Sequence, residues 1–185
     1  EARGHAIPGG SEKDFDYETF SEEIRKTAPS LECTLTLGET KHSRFSSIHH
    51  LLEMDLDLNA ARKELSRYRP DPMEPAFFQL SGGTTGVPKI IPRTHNDYVY
   101  NAECAAKVLE FNESTRLLLV LPLMHNFPLA NGLLGVHSTG GVVVLTKSLA
   151  PEAVLQAISQ NKATGIMTVP VLLHRLLDVP ENVRK

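Results

Sequence analysis

Four short apolar runs, "AFFQL", "RLLLVLPL", "GGVVVLT" and "ATGIMTVP", recur along the chain from Ala76 to Pro170. Between and after them lie stretches with helical periodicity: "DYVYNAECAAKVLEF", which Asn96 is expected to cap, with Tyr98, Ala102, Ala105 and Leu109 on one face, then "PEAVLQAISQNK" and "VLLHRLLDV". A strand that must reach a parallel neighbour needs a crossover, and a helix is the usual one. This alternation therefore predicts an α/β fold of mostly parallel sheet layers flanked by helices. The first part of the chain repeats the theme. "FDYETFSEEIRKTAPS" places Tyr17, Phe20, Ile24 and Thr27 at helical spacing. "LECTLTLGE" alternates Leu31, Cys33, Leu35 and Leu37 with polar partners up to Gly38. Short helices are expected over "SSIHHLLEM" and "LNAARKELSRY". "RPDPMEP" reads as a stiff linker, because its three prolines cannot donate ladder hydrogen bonds. The expected division is thus 1–70 and 71–185, two parts of one larger domain.

Composition narrows the function classes. With 19 basic and 22 acidic residues in 185, the net charge of -3 provides no field for nucleic acid or an anionic membrane. Runs such as "LLLVLPLM" fall short of the ~20 apolar residues that span a bilayer. The only cysteines, Cys33 and Cys104, have no metal-binding spacing and are expected as buried free thiols in a reducing compartment, hence a cytoplasmic protein. The eight histidines include the adjacent pair His49–His50, which points in two directions on a helix and does not suggest a metal site.

Directly after "AFFQL" comes "SGGTTGVPK", which packs three glycines, three hydroxyl residues and a lysine into nine positions. Glycine clusters are usually plain turns, and that reading stays open. However, Gly82, Gly83 and Gly86 permit successive N–H groups to turn inward. With the hydroxyls of Ser81, Thr84 and Thr85 and the Lys89 ammonium, such a loop suits a polyphosphate. It is neither GxxxxGK[ST], since Val87 and Pro88 separate Gly86 from Lys89, nor GxGxxG.

"SGGTTGVPK" resembles the phosphate loop of the adenylate-forming superfamily, [ST]-[SG]-G-[ST]-T-G-x-P-K, at every position. That superfamily comprises acyl-CoA synthetases, luciferases and the adenylation domains of nonribosomal peptide synthesis. Its members commonly continue with glycine; here Ile90 follows, and then "IPRTHNDY", which is similar to the branch that activates aryl acids. The resemblance runs most clearly from Phe77 to Pro170 and implies a central piece of the large N-terminal domain of such an enzyme. The expected downstream blocks for adenine, ribose, metal and a late catalytic lysine are not found, and the chain opens without Met. It is therefore expected to be truncated at both ends and, alone, to be inactive.

"LPLMHNFPLANGLLG" holds the polar pair His125–Asn126 in apolar surroundings. Asn126 could be a helix cap and His125 a loop residue. The stretch also resembles the HN[YF] block of aryl-acid ligases. That resemblance places Asn126 on the ortho-hydroxyl and carboxylate side of the acid, His125 beside the carboxylate and reacting phosphate, and Phe127 in the wall around the ring. The serine that often follows in the family is missing from "LANGLLG", so Ala130 or Asn131 falls near it, and Asn131 is the candidate contact.

The resemblance implies a ligase that uses ATP, with Mg²⁺, to convert 2,3-dihydroxybenzoate or salicylate into an acyl-AMP and pyrophosphate. The acyl group would then pass to the phosphopantetheine thiol of a carrier protein, or to coenzyme A, in siderophore or nonribosomal peptide synthesis. Ser81, Gly82, Gly83, Thr84, Thr85, Gly86 and Lys89 would hold the phosphates, with Lys89 and His125 nearest the chemistry. The alternatives are a benzoate-type acyl-CoA synthetase and a non-catalytic phosphate-binding module.

Overall fold

The computed structural model describes residues 2–9, 11–12, 15–81, 86–146 and 148–181. Contacts divide the chain into two compact units, Glu1–Arg69 and Pro70–Lys185.

In the first unit, β1 (Gly4–Pro8) is followed by β2 (Ser11–Glu12), β3 (Phe15–Asp16), α1 (Tyr17–Thr27), β4 (Cys33–Leu37), β5 (Phe45–Ser47), α2 (Ile48–Glu53) and α3 (Leu58–Leu65). Strands β1, β4 and β5 form a parallel sheet in the order β1-β4-β5, and β2 pairs with β3 in a short antiparallel ribbon. Asp16 caps α1 by accepting from the Thr19 N–H at 3.0 Å. Gly38, with φ at +112°, ends β4 in a conformation that glycine adopts without strain.

The expected apolar faces in this unit are only partly buried: Leu31 is buried, and Tyr17, Ile24 and Leu35 are half-buried. Thr34 and Thr36 are fully buried in β4, while Cys33 and Leu37 face outward. Along α1 the buried residues are Glu18 and Ser21, whereas Phe20 is 47% exposed. The reason is a satisfied polar cluster: His5 Nε2 lies 2.7 Å from Ser21 Oγ and 3.1 Å from Thr34 Oγ1, so these groups lose water without losing hydrogen bonds. Phe20 instead meets Phe15 edge-to-face at 5.4 Å.

In the second unit, β6 (Pro75–Leu80) and β7 (Ile90–Thr94) form an antiparallel hairpin, and α4 (His95–Val108) follows at once. Then come β8 (Arg116–Leu119), a π-helix (Phe127–Leu134), α5 (Gly135–Ser138), β9 (Val142–Leu145), α6 (Pro151–Asn161), β10 (Gly165–Met167) and α7 (Pro170–Leu177). Strand β7 was not expected, since Pro92 within "IIPRT" argues against a strand; a two-stranded ribbon tolerates it because one edge needs no ladder bond. The cap of α4 is Thr94, not the expected Asn96. Thr94 Oγ1 accepts from the Asp97 N–H at 3.1 Å while Asp97 Oδ2 accepts from the Thr94 N–H at 2.8 Å.

The parallel sheet β10-β8-β9 is covered on both faces, as the strand–helix alternation requires. Successive side chains of β8 point to opposite faces. Leu117 and Leu119 join Val136 and Met167 on one, and Leu118 and Val120 join Val144 and Val154 on the other. Each such buried aliphatic contributes about 1.5–3 kcal/mol relative to exposure. Small residues let the π-helix approach closely. A Cβ on Gly132 would stand 2.8 Å from Leu119 Cδ2, and one on Gly135 would stand 3.4 Å from the Ala102 carbonyl oxygen of α4. Cys33 and Cys104 are free thiols and both exposed, which corrects the expectation that they are buried. Among the described residues, no helix is long and apolar enough to cross a membrane.

Candidate functional site

The nine-residue loop is strung between the two strands of the β6–β7 hairpin. Its base is closed by two hydrogen bonds, from the Ser81 N–H to the Lys89 carbonyl at 2.9 Å and from the Lys89 N–H to Ser81 Oγ at 2.9 Å. Gly82, Gly83, Thr84 and Thr85 lie outside the described residues. Gly86 has no positive φ, and no described residue stands within 4 Å of where a Cβ would be. Among the described residues, none places a steric demand for glycine there. Lys89 is exposed and carries no ion pair among the described residues.

From the hairpin the chain runs into α4, where one side chain links the loop region to the second block. Tyr98 is only 3% exposed; its hydroxyl donates to Asn126 Oδ1 at 2.8 Å. Its ring packs edge-to-face on Phe77 of β6 at 4.4 Å and lies 4.7 Å beneath the Arg93 guanidinium. Arg93 in turn donates through Nε and Nη2 to Asp97 Oδ1. These hydrogen bonds hold the Asp97 carboxyl below its usual range, Arg93 being the largest cause. Burial pushes the Tyr98 phenol above its ordinary value, so the group keeps its proton and donates.

Asn126 stands at the head of the π-helix, yet its side chain makes no capping bond, and the hydrogen bond from Tyr98 replaces the cap. The residue is exposed, as is His125, whose N–H donates to the Pro122 carbonyl at 3.1 Å. Phe127, 45% exposed, lines an apolar pocket of about 410 Å³ with Leu109, Phe111, Leu117, Met167 and Leu173. The π-helix treats the two residues near the missing serine differently. Its wider ring, closed by the Gly135 N–H on the Ala130 carbonyl, leaves Ala130 fully buried in the core and Asn131 half-buried. Among the described residues, no group of three or more His, Cys, Asp or Glu could hold a metal ion.

Sequence reasoning missed Arg93, Asp97 and the polar role of Tyr98, which it placed only on the inner face of a helix. The available signal was the hydroxyl itself, since a tyrosine turned into a core needs a hydrogen-bond partner there.

A loop closed at the end of a hairpin, a helix-head carboxamide and a doubly covered parallel sheet together mark an α/β fold, and the comparisons give its family. The sequence model of the family described as "AMP-binding enzyme" matches residues 12–185, and the chain belongs to that family. Within it, the chain is 37% identical over 183 residues to the vibriobactin-specific 2,3-dihydroxybenzoate-AMP ligase of Vibrio cholerae, a match that takes in 98% of this chain and 32% of that protein. It is 34% identical to the 2,3-dihydroxybenzoate-AMP ligase of Bacillus subtilis over 185 residues, the whole of this chain and 32% of that protein. Among solved structures, apo MbtA of Mycobacterium smegmatis superposes with a TM-score of 0.78 at 32% identity, over 92% of this chain and 30% of that one. The resemblance seen in the two motifs thus holds for family and fold, and the chain spans about a third of the length of the curated relatives it matches.

Proposed function

We propose that this chain is the part of an aryl-acid AMP ligase that holds the ATP phosphates and one wall of the acid pocket. The observation that carries this reading is Asn126: a neutral carboxamide, excused from capping and held by Tyr98, beside the apolar pocket that Phe127 lines. A carboxamide offers both donor and acceptor to a substrate without an amine, and an aromatic ring needs an apolar wall. The identity to two 2,3-dihydroxybenzoate-AMP ligases supports 2,3-dihydroxybenzoate or salicylate as substrate.

The first half-reaction joins two anions, the aryl carboxylate and the α-phosphate of ATP, so the protein's task is alignment and charge neutralisation. Lys89, free of competing carboxylates among the described residues, supplies a cation to the departing pyrophosphate. Ser81 Oγ accepts from the Lys89 N–H and keeps its own proton for a phosphate oxygen. Gly86, open where a side chain would stand, leaves the main chain accessible to a phosphate. Gly82, Gly83, Thr84 and Thr85 complete the grip. His125 sits beside the carboxylate, and Asn126, Phe127 and Asn131 hold the ring and its substituents. Mg²⁺ would come with the nucleotide and share its charge. The acyl group then passes to a carrier-protein phosphopantetheine or coenzyme A thiol, in the cytoplasm.

Pyrophosphate exchange by the whole protein that carries this chain tests the reading. Salicylate and 2,3-dihydroxybenzoate should outperform benzoate; a reversal would replace this reading with the benzoate-type acyl-CoA synthetase. Unchanged ATP affinity after Lys89→Ala would favour a non-catalytic module.

A further inference from the structure

We propose that Tyr98 is a positioning residue that fixes which edge of the Asn126 amide meets the substrate, so that the site selects an ortho oxygen over an ortho amine. This rests on the aryl-acid reading above. A primary carboxamide can turn over and exchange its acceptor for its donors, and an exposed one ordinarily has no reason to choose. Here Tyr98 makes the choice. Its single proton is spent on Asn126 Oδ1 at 2.8 Å, which leaves Asn126 Nδ2, with no hydrogen bond among the described residues, as the outward-facing group.

The phenol is held from the other side as well. The Gln79 side chain lies close enough to the phenol to counter the effect of burial on it, and Gln79 Nε2 is buried with no hydrogen-bond partner among the described residues. The Tyr98 ring is wedged between Phe77 and Arg93, which holds the phenol oxygen at Asn126 Oδ1.

An outward N–H pair favours an aryl acid that presents an acceptor beside its carboxylate, an ortho hydroxyl or phenolate oxygen. An ortho amine presents N–H groups with a lone pair delocalised into the ring, and donor would face donor. The site therefore takes 2-hydroxybenzoates and resists 2-aminobenzoates, by a device one residue behind the contact.

The test compares kcat/KM for salicylate, anthranilate and benzoate in pyrophosphate exchange, using the whole protein and its Tyr98→Phe variant. Phenylalanine keeps the ring packing and removes only the hydroxyl. The expected result is a fall of about tenfold in the salicylate-to-anthranilate ratio, with benzoate and the KM for ATP changed less than about twofold. An equal loss for all three acids, or an unchanged ratio, overturns the positioning role while leaving the aryl-acid reading intact. Absence of any aryl-acid-dependent exchange in the parent protein overturns that reading and this inference with it.

Discussion

Ser81 and Lys89 clasp each other across the base of the loop, each lending its main-chain N–H to the other at 2.9 Å, one to a carbonyl and one to a hydroxyl. The clasp continues the β6–β7 ladder by one step, so the loop leaves and rejoins the hairpin at a fixed separation. Because Ser81 enters as an acceptor, Ser81→Ala removes the partner of the Lys89 N–H, whereas Ser81→Thr retains it. The alanine variant should raise the KM for ATP about tenfold and the threonine variant less than about threefold, measured by pyrophosphate exchange.

Lys89 is exposed and packs no core, so its removal should separate function from folding. Lys89→Ala is expected to lower kcat/KM by about 10²–10³-fold, the usual loss when one preorganised charge-stabilising group is removed. The far-ultraviolet circular dichroism and thermal midpoint should stay as they were. A fall in the midpoint would show that the lysine has a structural role.

Two glycines invite opposite outcomes. A Cβ on Gly141 would stand 2.8 Å from Val136 Cγ1 and 3.0 Å from the carbonyl oxygens of Asn112 and Thr115, and main-chain atoms cannot step aside. Gly141→Ala should destabilise the protein by about 1–3 kcal/mol in denaturant titration. Gly86 has no positive φ and no described residue near the position of a Cβ, so Gly86→Ala should leave stability unchanged or raise it by about 0.4–1 kcal/mol, through a less flexible unfolded chain. ATP binding by that variant should nonetheless weaken.

The Arg93–Asp97 pair gives a pH signature. Asp97 is held below the ordinary carboxylate range, chiefly by its hydrogen bonds from Arg93. A depressed folded value contributes stability that is present above the unfolded value and is lost as pH falls through the folded one. Arg93→Leu should therefore raise the Asp97 titration, read by carboxyl NMR, and shift the acid unfolding midpoint to higher pH. An unmoved Asp97 titration would show that the cap at Thr94, not the guanidinium, sets it.

What could be read from the residues follows a simple physical line. Strands β6, β8, β9 and β10 were legible because each is a short apolar run. Pro151 at the start of α6 and Gly38 after β4 marked boundaries through backbone geometry alone. The buried polar positions of α1 and β4 were not legible, because hydrophobic patterning assumes that polar side chains seek water. Ser21, Thr34 and His5 satisfy one another instead. Strand β7 was hidden by Pro92, and the cap at Thr94 by a better-looking Asn96 two residues on. In the site, "SGGTTGVPK" and "HNF" named the family from local chemistry. The Tyr98–Asn126 bond joins residues 28 apart in sequence, and no local pattern announces such a contact.

The π-helix carries a consequence for how such a pocket can diverge. A segment wound with i→i+5 rings holds more residues per turn than an α-helix of the same rise, and small side chains at Gly132 and Gly135 let it nestle between β8 and α4. Deleting a single residue between Pro128 and Leu134 would let the segment rewind as an α-helix while its ends stay anchored. Every side chain between would then rotate to a new bearing on the pocket. Loss or gain of one codon is thus a route to a different residue at Asn131's position, with the buried Ala130 and Gly132 repacking against β8.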